Sequence, residues 1–365
     1  MKVLHAVNMK HVSSGILNQM TWELESAKKL NLDWNVVFYV QEYNEKNSSK
    51  IVKYWDGNSR LNWVKFRQDY YTWLLEQSAF FDILVLRHSL SDPYQVAFLK
   101  KIKKPVYLVH HTLEIQEILS NNGIKSNIKA WVEKYFGRLS LEQVQGLVGV
   151  TNEIFNYENR RVNSKFKQKI IYPNGICYDN KILIDSRKNK IPELIFVASF
   201  FSSWHGVDLL LNALENTSEE FILHIVGRLN PKDEQQAKKD QRIVLHGHLS
   251  QLEIERLMSS MWLGLSSFAL FRQNMKEACT LKVREYLKNG LPVYSGYKDV
   301  FCNSFPYYRI GEPNFDNILE YARKMRYESK EEISNLSKQY IDKEILLKNL
   351  YLTLAQNHNF TSTKF

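Results

Sequence analysis

No apolar run in this chain approaches the length of a membrane span. The N-terminal Met-Lys-Val-Leu-His-Ala-Val has too short an apolar part for a secretory core, and reads instead as a buried strand. Cysteine is scarce: Cys177, Cys279 and Cys302 are odd in number and lack metal-ligand spacing, which argues against a disulfide framework and fits a reducing cytosol. No nucleic-acid-binding module accompanies the basic charge. What is present is the composition of a globular protein, with 44% hydrophobic residues in 365, enough for two domains with separate cores.

The net charge is +10 and the sequence pI about 9.2, so anionic partners are favoured. Lys100-Lys101-Ile-Lys103-Lys104 is the densest basic cluster, and Arg160-Arg161 with Lys165, Lys167 and Lys169 is a second. From Lys125 to Arg138, Lys129, Lys134 and Arg138 interleave with Trp131, Tyr135 and Phe136. This stretch suits a helix lying at an anionic lipid surface. It equally suits a helix whose aromatics pack inward while its lysines are solvated.

Short apolar runs alternate with amphipathic stretches, the pattern of parallel sheets covered by helices. Strands are expected at Lys2–Val7, Trp34–Val40, Ile83–Leu86, Val106–Val109 and Gly146–Val150, then at Glu193–Ala198, Phe221–Val226, Arg242–His246, Leu263–Ser266 and Pro292–Ser295. Helical patterns fall at Ile16–Leu30, Asn127–Leu139, Val207–Glu215, Gln251–Ser260, Thr280–Lys288 and from Glu331 onward. The expected fold class is α/β, two Rossmann-like, doubly wound domains at residues 1–172 and 193–345, joined by a polar linker at 173–192. Residues 346–365 form a C-terminal helix that can cross back to the first domain. Ligands of such sheets bind at the carboxyl ends of the strands, so a cleft between the domains is expected.

The chemistry concentrates near the run Glu277-Ala-Cys-Thr-Leu-Lys-Val-Arg-Glu285, followed by Gly290-Leu-Pro-Val. Gly290 reads as a left-handed C-cap of a helix ending at Lys288, and Pro292 blocks its continuation. Glu285 then sits in the second turn, with Glu277 in the loop ahead of the N-terminus. Backbone N–H groups at a helix N-terminus favour phosphate, and a carboxylate on either side suits the hydroxyls of two sugars flanking a diphosphate. Two solvated carboxylates are the plain alternative. Ser250-Gln-Leu-Glu253 is a capping box, which starts a helix just after the turn at His246–Leu249.

Other segments agree in order with one family. Leu223-His-Ile-Val-Gly227, Val244-Leu-His-Gly247-His248-Leu249, Tyr172-Pro-Asn174-Gly175 and Gly206-Val-Asp208-Leu-Leu210 stand with Glu-x7-Glu and Gly-Leu-Pro-Val as they do in the retaining GT-B glycosyltransferases of the GT4 family, which the chain resembles. The resemblance implies that Glu285 holds the nucleotide ribose and Glu277 the hydroxyls of the transferred sugar. It places Gly227, Gly247 and His248 beside the nucleotide, and Ser13-Ser14-Gly15 at a first loop that meets diphosphate or acceptor. An N-cap at Ser13 or Ser14 is an equally good account of that loop. The strand end Val109-His110-His111 resembles the place where relatives carry a histidine near the reacting carbon. Alternation lets one of the pair face the site, and His111 is preferred over His110.

One departure stands out. Many relatives hold the donor diphosphate with an Arg after the first strand of this domain and a Lys before the Gly; here Phe200 and His205 occupy those places. Lys282, in the first turn of the Glu285 helix, is the expected replacement, then Arg228, with His205 as a hydrogen-bond donor. No Asp-x-Asp-like constellation is evident, so no metal and no cofactor are expected, only a nucleotide-sugar co-substrate, UDP-linked first and GDP-linked second. Few glycines and prolines (14 and 8) beside abundant Asn, Lys and Tyr resemble a bacterial chain from an AT-rich genome. The resemblance then implies a cytoplasmic transferase, peripheral at the inner face of the membrane, acting on a lipid-linked or surface-glycan acceptor. A silent GT-B scaffold subunit and a sugar-nucleotide epimerase are the rivals.

Overall fold

The computed structural model describes residues 1–42, 50–57, 62–120, 123–162, 167–178 and 184–362, with side chains to 359. Lys165 of the second basic cluster and residues 179–183 of the expected linker lie outside them. The chain divides into two compact units, Met1–Cys177 with the C-terminal segment from Lys343, and Tyr178–Asp342.

Unit 1 contains β1 (Val3–Met9), β2 (Trp34–Val40), β3 (Val52–Tyr54), β4 (Ile83–Arg87), β5 (Val106–His110), β6 (Gly146–Gly149) and β7 (Gln168–Ile171). They form one sheet in the order β3-β2-β1-β4-β5-β6-β7, with every pairing parallel. The connecting helices are α1 (Ser14–Lys29), α2 (Asn62–Gln77), α3 (Pro93–Lys101), α4 (Glu114–Ser120), α5 (Ile124–Gln143) and α6 (Asn152–Asn159). Central strands such as β4 and β5 are buried along almost their whole length, as strands covered on both faces must be.

Unit 2 repeats the plan. Its strands are β8 (Glu193–Phe200), β9 (Ile222–Arg228), β10 (Ile243–Gly247), β11 (Leu263–Leu265), β12 (Val293–Ser295) and β13 (Tyr308–Ile310), in the order β10-β9-β8-β11-β12-β13 and again all parallel. Helices α7 (Val207–Ala213), α8 (Pro231–Ala237), α9 (Gln251–Met258), α10 (Leu281–Lys288), α11 (Phe315–Met325) and α12 (Lys330–Ile341) complete it. Both sheets reverse direction at their first strand, the switch point at which ligands of such folds bind.

The final helix, α13 (Lys343–Ser362), belongs to unit 1 and packs on α1 and β7. Leu346, Leu347, Leu350 and Leu354 recur at helical spacing and enter the core containing Trp34, Phe38 and Tyr172. Its first residue, Lys343, is buried and donates to Gln19 Oε1 at 2.8 Å.

Candidate active site

In unit 2 the switch point lies between β8 and β11. After β8 a single 3-10 turn, Ser203–His205, leads into α7, and Asp208 in the first turn of α7 makes a two-pronged ion pair with Arg272 at 2.8 and 2.7 Å. That pair fixes the loop leading toward Glu277. Glu277 is half-buried, forms an isolated parallel bridge with Lys298, and lies 3.5 Å from its ammonium.

α10 follows. Arg284 points inward, fully buried against Asp299 with both contacts at 2.5 Å, so the opposite side carrying Lys282 and Glu285 is left half-buried. The N-cap residue Thr280 does not cap the helix with its side chain; its hydroxyl lies 2.9 Å from the Tyr297 hydroxyl, itself 2.9 Å from Ser266. The first backbone N–H groups of α10 therefore keep their capacity to bind an anion. The C-terminus closes with Gly290 at φ 67°, where the Leu291 and Gly290 amides donate to Tyr286 and Leu287 carbonyls at 2.9 and 3.0 Å.

Lys282 stands three residues from Glu285 and over the rings of Phe196 and Phe201, 5.7 and 6.0 Å from their centroids. Among the described residues its ammonium makes no hydrogen bond and no ion pair. Burial pulls its pKa down to about 7, with Glu285 opposing. Glu285 is pushed up, also by burial, while Lys282 acts against the shift. His205 feels the same ammonium. Burial first, and then Lys282, lower its pKa to about 4, so the ring is neutral. Its Nδ1 accepts the Ser202 N–H at 2.9 Å, which leaves the proton on Nε2. The structure thus gathers Lys282, Glu285 and His205 on one patch.

Gly227 is explained by the backbone instead. It has φ 118°, and a Cβ there would stand 1.5 Å from the Ala198 carbonyl oxygen on β8. Close strand approach by itself requires a glycine at this position. Arg228 is exposed and paired in register with Phe200, itself 51% exposed. Exposed Gly247, at φ 64°, ends the edge strand β10, and His248 starts the exposed bend after it. On β10, just before Gly247, His246 Nε2 lies 2.9 Å from His224 Nδ1 on β9, a pairing that the sequence did not reveal.

In unit 1, Ser13 takes the N-cap position of α1 without a side-chain capping bond, Ser14 is exposed, and Gly15 faces open space. Beside this loop Asn8 donates to Ser89 at 3.0 Å, joining the ends of β1 and β4; neither residue carried a sequence signal. His111 is half-buried just past β5, kept neutral by burial and then by nearby Arg87. His110 is 1% exposed, stacked on His88, and bonded through Nδ1 to Glu114 at 2.8 Å. That buried network ties His110 into the packing of unit 1. On α5 Trp131 and Tyr135 do not pack inward, while Phe136 is half-buried. Ile124, Ile128, Trp131 and Tyr135 are 80, 57, 69 and 50% exposed, while Glu133 and Gly137 face the core.

No protein-family model matches the chain, and neither does any curated protein sequence. Solved structures do. The apo lipopolysaccharide outer core galactosyltransferase WaaB aligns over 97% of this chain and 99% of its own, with a TM-score of 0.69 at 14% identity. A glycosyltransferase from Rickettsia africae aligns over 96% and 98%, TM-score 0.67, 13% identical. HepE of Anabaena, solved in complex with UDP, aligns over 98% and 100%, TM-score 0.67, 12% identical. At such identities the likeness is one of fold: the chain has the GT-B fold, built from two Rossmann-like α/β units.

Proposed function

We propose that this chain is a glycosyltransferase of the retaining, GT4-like kind, moving a sugar from a nucleotide-diphosphate sugar to an acceptor hydroxyl without a catalytic metal or cofactor. The observation that carries the reading is α10: an N-terminus uncapped by Thr280, with an unpaired, desolvated Lys282 and Glu285 on one half-buried face. A diphosphate supplies what that face lacks. It gives the ammonium a counter-charge and the helix N–H groups an acceptor. Lys282 with the α10 amides then stabilises charge growing on the leaving group, Glu285 takes the ribose hydroxyls, Glu277 the hydroxyls of the transferred sugar, and His111 lies near the reacting carbon. A UDP-sugar is the first donor to try and a GDP-sugar the second; solved HepE complexes with UDP and UDP-glucose support that order.

The acceptor we propose is lipid-linked or a growing bacterial surface glycan, reached from the cytoplasmic face of a membrane. The exposed apolar stripe of α5 supports this. Its residues recur one turn apart, and exposed Lys125, Lys129 and Lys134 flank them, the make-up of a helix lying in an anionic interface. No described helix is long and apolar enough to cross a membrane. Calorimetry with UDP- and GDP-sugars, followed by product analysis with lipid-linked acceptors, tests the reading; no binding of any nucleotide sugar would end it. A second reading, a silent scaffold subunit, is favoured by Phe200 where relatives place the diphosphate Arg. It predicts nucleotide binding without turnover for every acceptor.

A further inference from the structure

Unit 1 buries a charged cluster that the transfer chemistry does not use. His88 follows β4, His110 ends β5, Glu114 opens α4, Glu133 points inward from α5, and Glu158 with Arg161 closes α6. Glu133 is fully served: it lies 3.0 Å from His88 Nε2 and accepts from Arg161 Nη2 at 2.8 Å and from the Ser91 amide at 2.6 Å. Glu158 accepts from Arg161 Nη1 through Oε2 at 2.5 Å. The remaining atoms are not served. Glu114 Oε2, Glu158 Oε1 and His110 Nε2 are buried without any hydrogen-bond partner.

Orphaned polar atoms at this depth are rare and cost free energy, most of all when they belong to carboxylates. The shortfall is one of positive charge. Three carboxylates share the Arg161 guanidinium and the His88 ring, which Glu133 holds, so Glu114 and Glu158 are the pair left short; among the described residues no other arginine or lysine is in ion-pair contact with them. The geometry narrows what can supply it. Ligand atoms of His110, Glu114 and Glu158 all lie within 4.8 Å of one another. His110 Nδ1 is 2.8 Å from Glu114 Oε1 and 3.9 Å from Glu158 Oε2. Ligands about 2.1 Å from a tetrahedral ion stand about 3.4 Å apart, between these two values.

We propose that His110, Glu114 and Glu158 hold one divalent transition-metal cation of zinc's class, as a structural ion. One imidazole nitrogen and two carboxylate oxygens suit Zn2+ better than Mg2+ or Ca2+, which prefer all-oxygen shells. The ion crosslinks β5, α4 and α6 from inside unit 1, and its binding displaces the proton otherwise held among these groups. Arg161 and the Glu133–His88 pair form the surrounding shell that orients Glu158. The expectation of a reaction without catalytic metal is untouched.

The test uses the full chain. Metal content is measured on protein purified without chelator, and again after stripping and reloading with Zn2+ or Co2+. The site predicts about one tightly held equivalent per chain, a higher melting temperature on reloading, and visible Co2+ absorption bands. Glu114→Gln and Glu158→Gln, which preserve shape, should each abolish tight binding and the melting shift. If Glu158→Gln does not fold, Glu114→Gln carries the comparison, and the wild-type Co2+ spectrum needs no variant. Wild-type protein that takes up no Zn2+ or Co2+ overturns the proposal, since a shared proton then holds the two carboxylates together. Metal retained in both glutamine variants but lost in His246→Gln also overturns it, by placing the ion at the half-buried His224–His246 pair.

Discussion

Both units wind their strands in one order, β3-β2-β1-β4-β5 in the first and β10-β9-β8-β11-β12 in the second, yet Glu23 of the first and Lys282 of the second treat desolvated charge in opposite ways. In unit 1 buried Glu23 lies 2.6 Å from His5 Nδ1 and accepts from Trp34 Nε1 at 2.7 Å and the Tyr172 hydroxyl at 2.9 Å. In unit 2 Lys282 and Glu285 are desolvated on the rim of α10, and the ammonium is left over aromatic rings. A charge whose partners are internal belongs to the architecture. A charge stripped of water and given no partner is poised for a ligand. The contrast separates residues whose loss should unfold the protein from residues whose loss should silence it.

The strongest test of that separation on the structural side is Glu23→Ala, which strands His5, Trp34 and Tyr172 without their acceptor. It should cost about 3–5 kcal/mol in denaturant unfolding; a loss below about 1 kcal/mol would break the distinction. Lys282→Ala should do the reverse, lowering turnover by about 10²–10³-fold, as for loss of one preorganised stabilising group, with melting temperature unchanged or raised. His111→Ala is expected to lower turnover by about 10²-fold in a well-folded protein, whereas His110→Ala should chiefly lower the melting temperature. Full activity in both histidine variants would show that neither histidine takes part in the chemistry. The smallest effect sharpens roles within α10. Glu285→Ala should weaken free nucleoside diphosphate roughly tenfold, in keeping with a lost charged hydrogen bond of about 1.5–3 kcal/mol, and Glu277→Ala should spare nucleotide binding while slowing transfer.

Both sheets were legible in the sequence through their central strands. β2 was expected at its observed bounds, Trp34–Val40, because an aromatic and β-branched run, broken only by exposed Asn35, reads as a largely covered strand. β3, β7 and β13 were missed: each is short, lies at an edge or next to one, and is part-exposed, so none carries an apolar run. The α10 patch could be seen because its residues are close in sequence. The resemblance already joined His205 to Lys282; the fold adds that the turn after β8 brings the ring close enough to feel the ammonium. Least legible was the cluster of His88, His110, Glu114, Glu133 and Glu158. Its members are scattered over β4 to α6, and Glu133 sits in a lysine-rich helix where a carboxylate reads as solvated. The same helix shows how periodicity alone misleads: Ile124, Ile128, Trp131 and Tyr135 face outward, while the small Ala130 and Gly137 face in with Leu141.

The central claim is that Lys282 and the start of α10 form a diphosphate site, and titration calorimetry of UDP across pH tests it most directly. With its pKa lowered to about 7 in the free protein, the lysine is charged below that value and increasingly neutral above it. An anionic diphosphate selects the charged form, so binding takes up a proton at higher pH and affinity must fall as pH rises. Between pH 7 and 8.5 the wild type should lose roughly tenfold in affinity, uridine should show no such trend, and Lys282→Ala should bind UDP weakly at both values. A Lys282→Ala protein that binds UDP with wild-type affinity and the same pH slope would contradict the account.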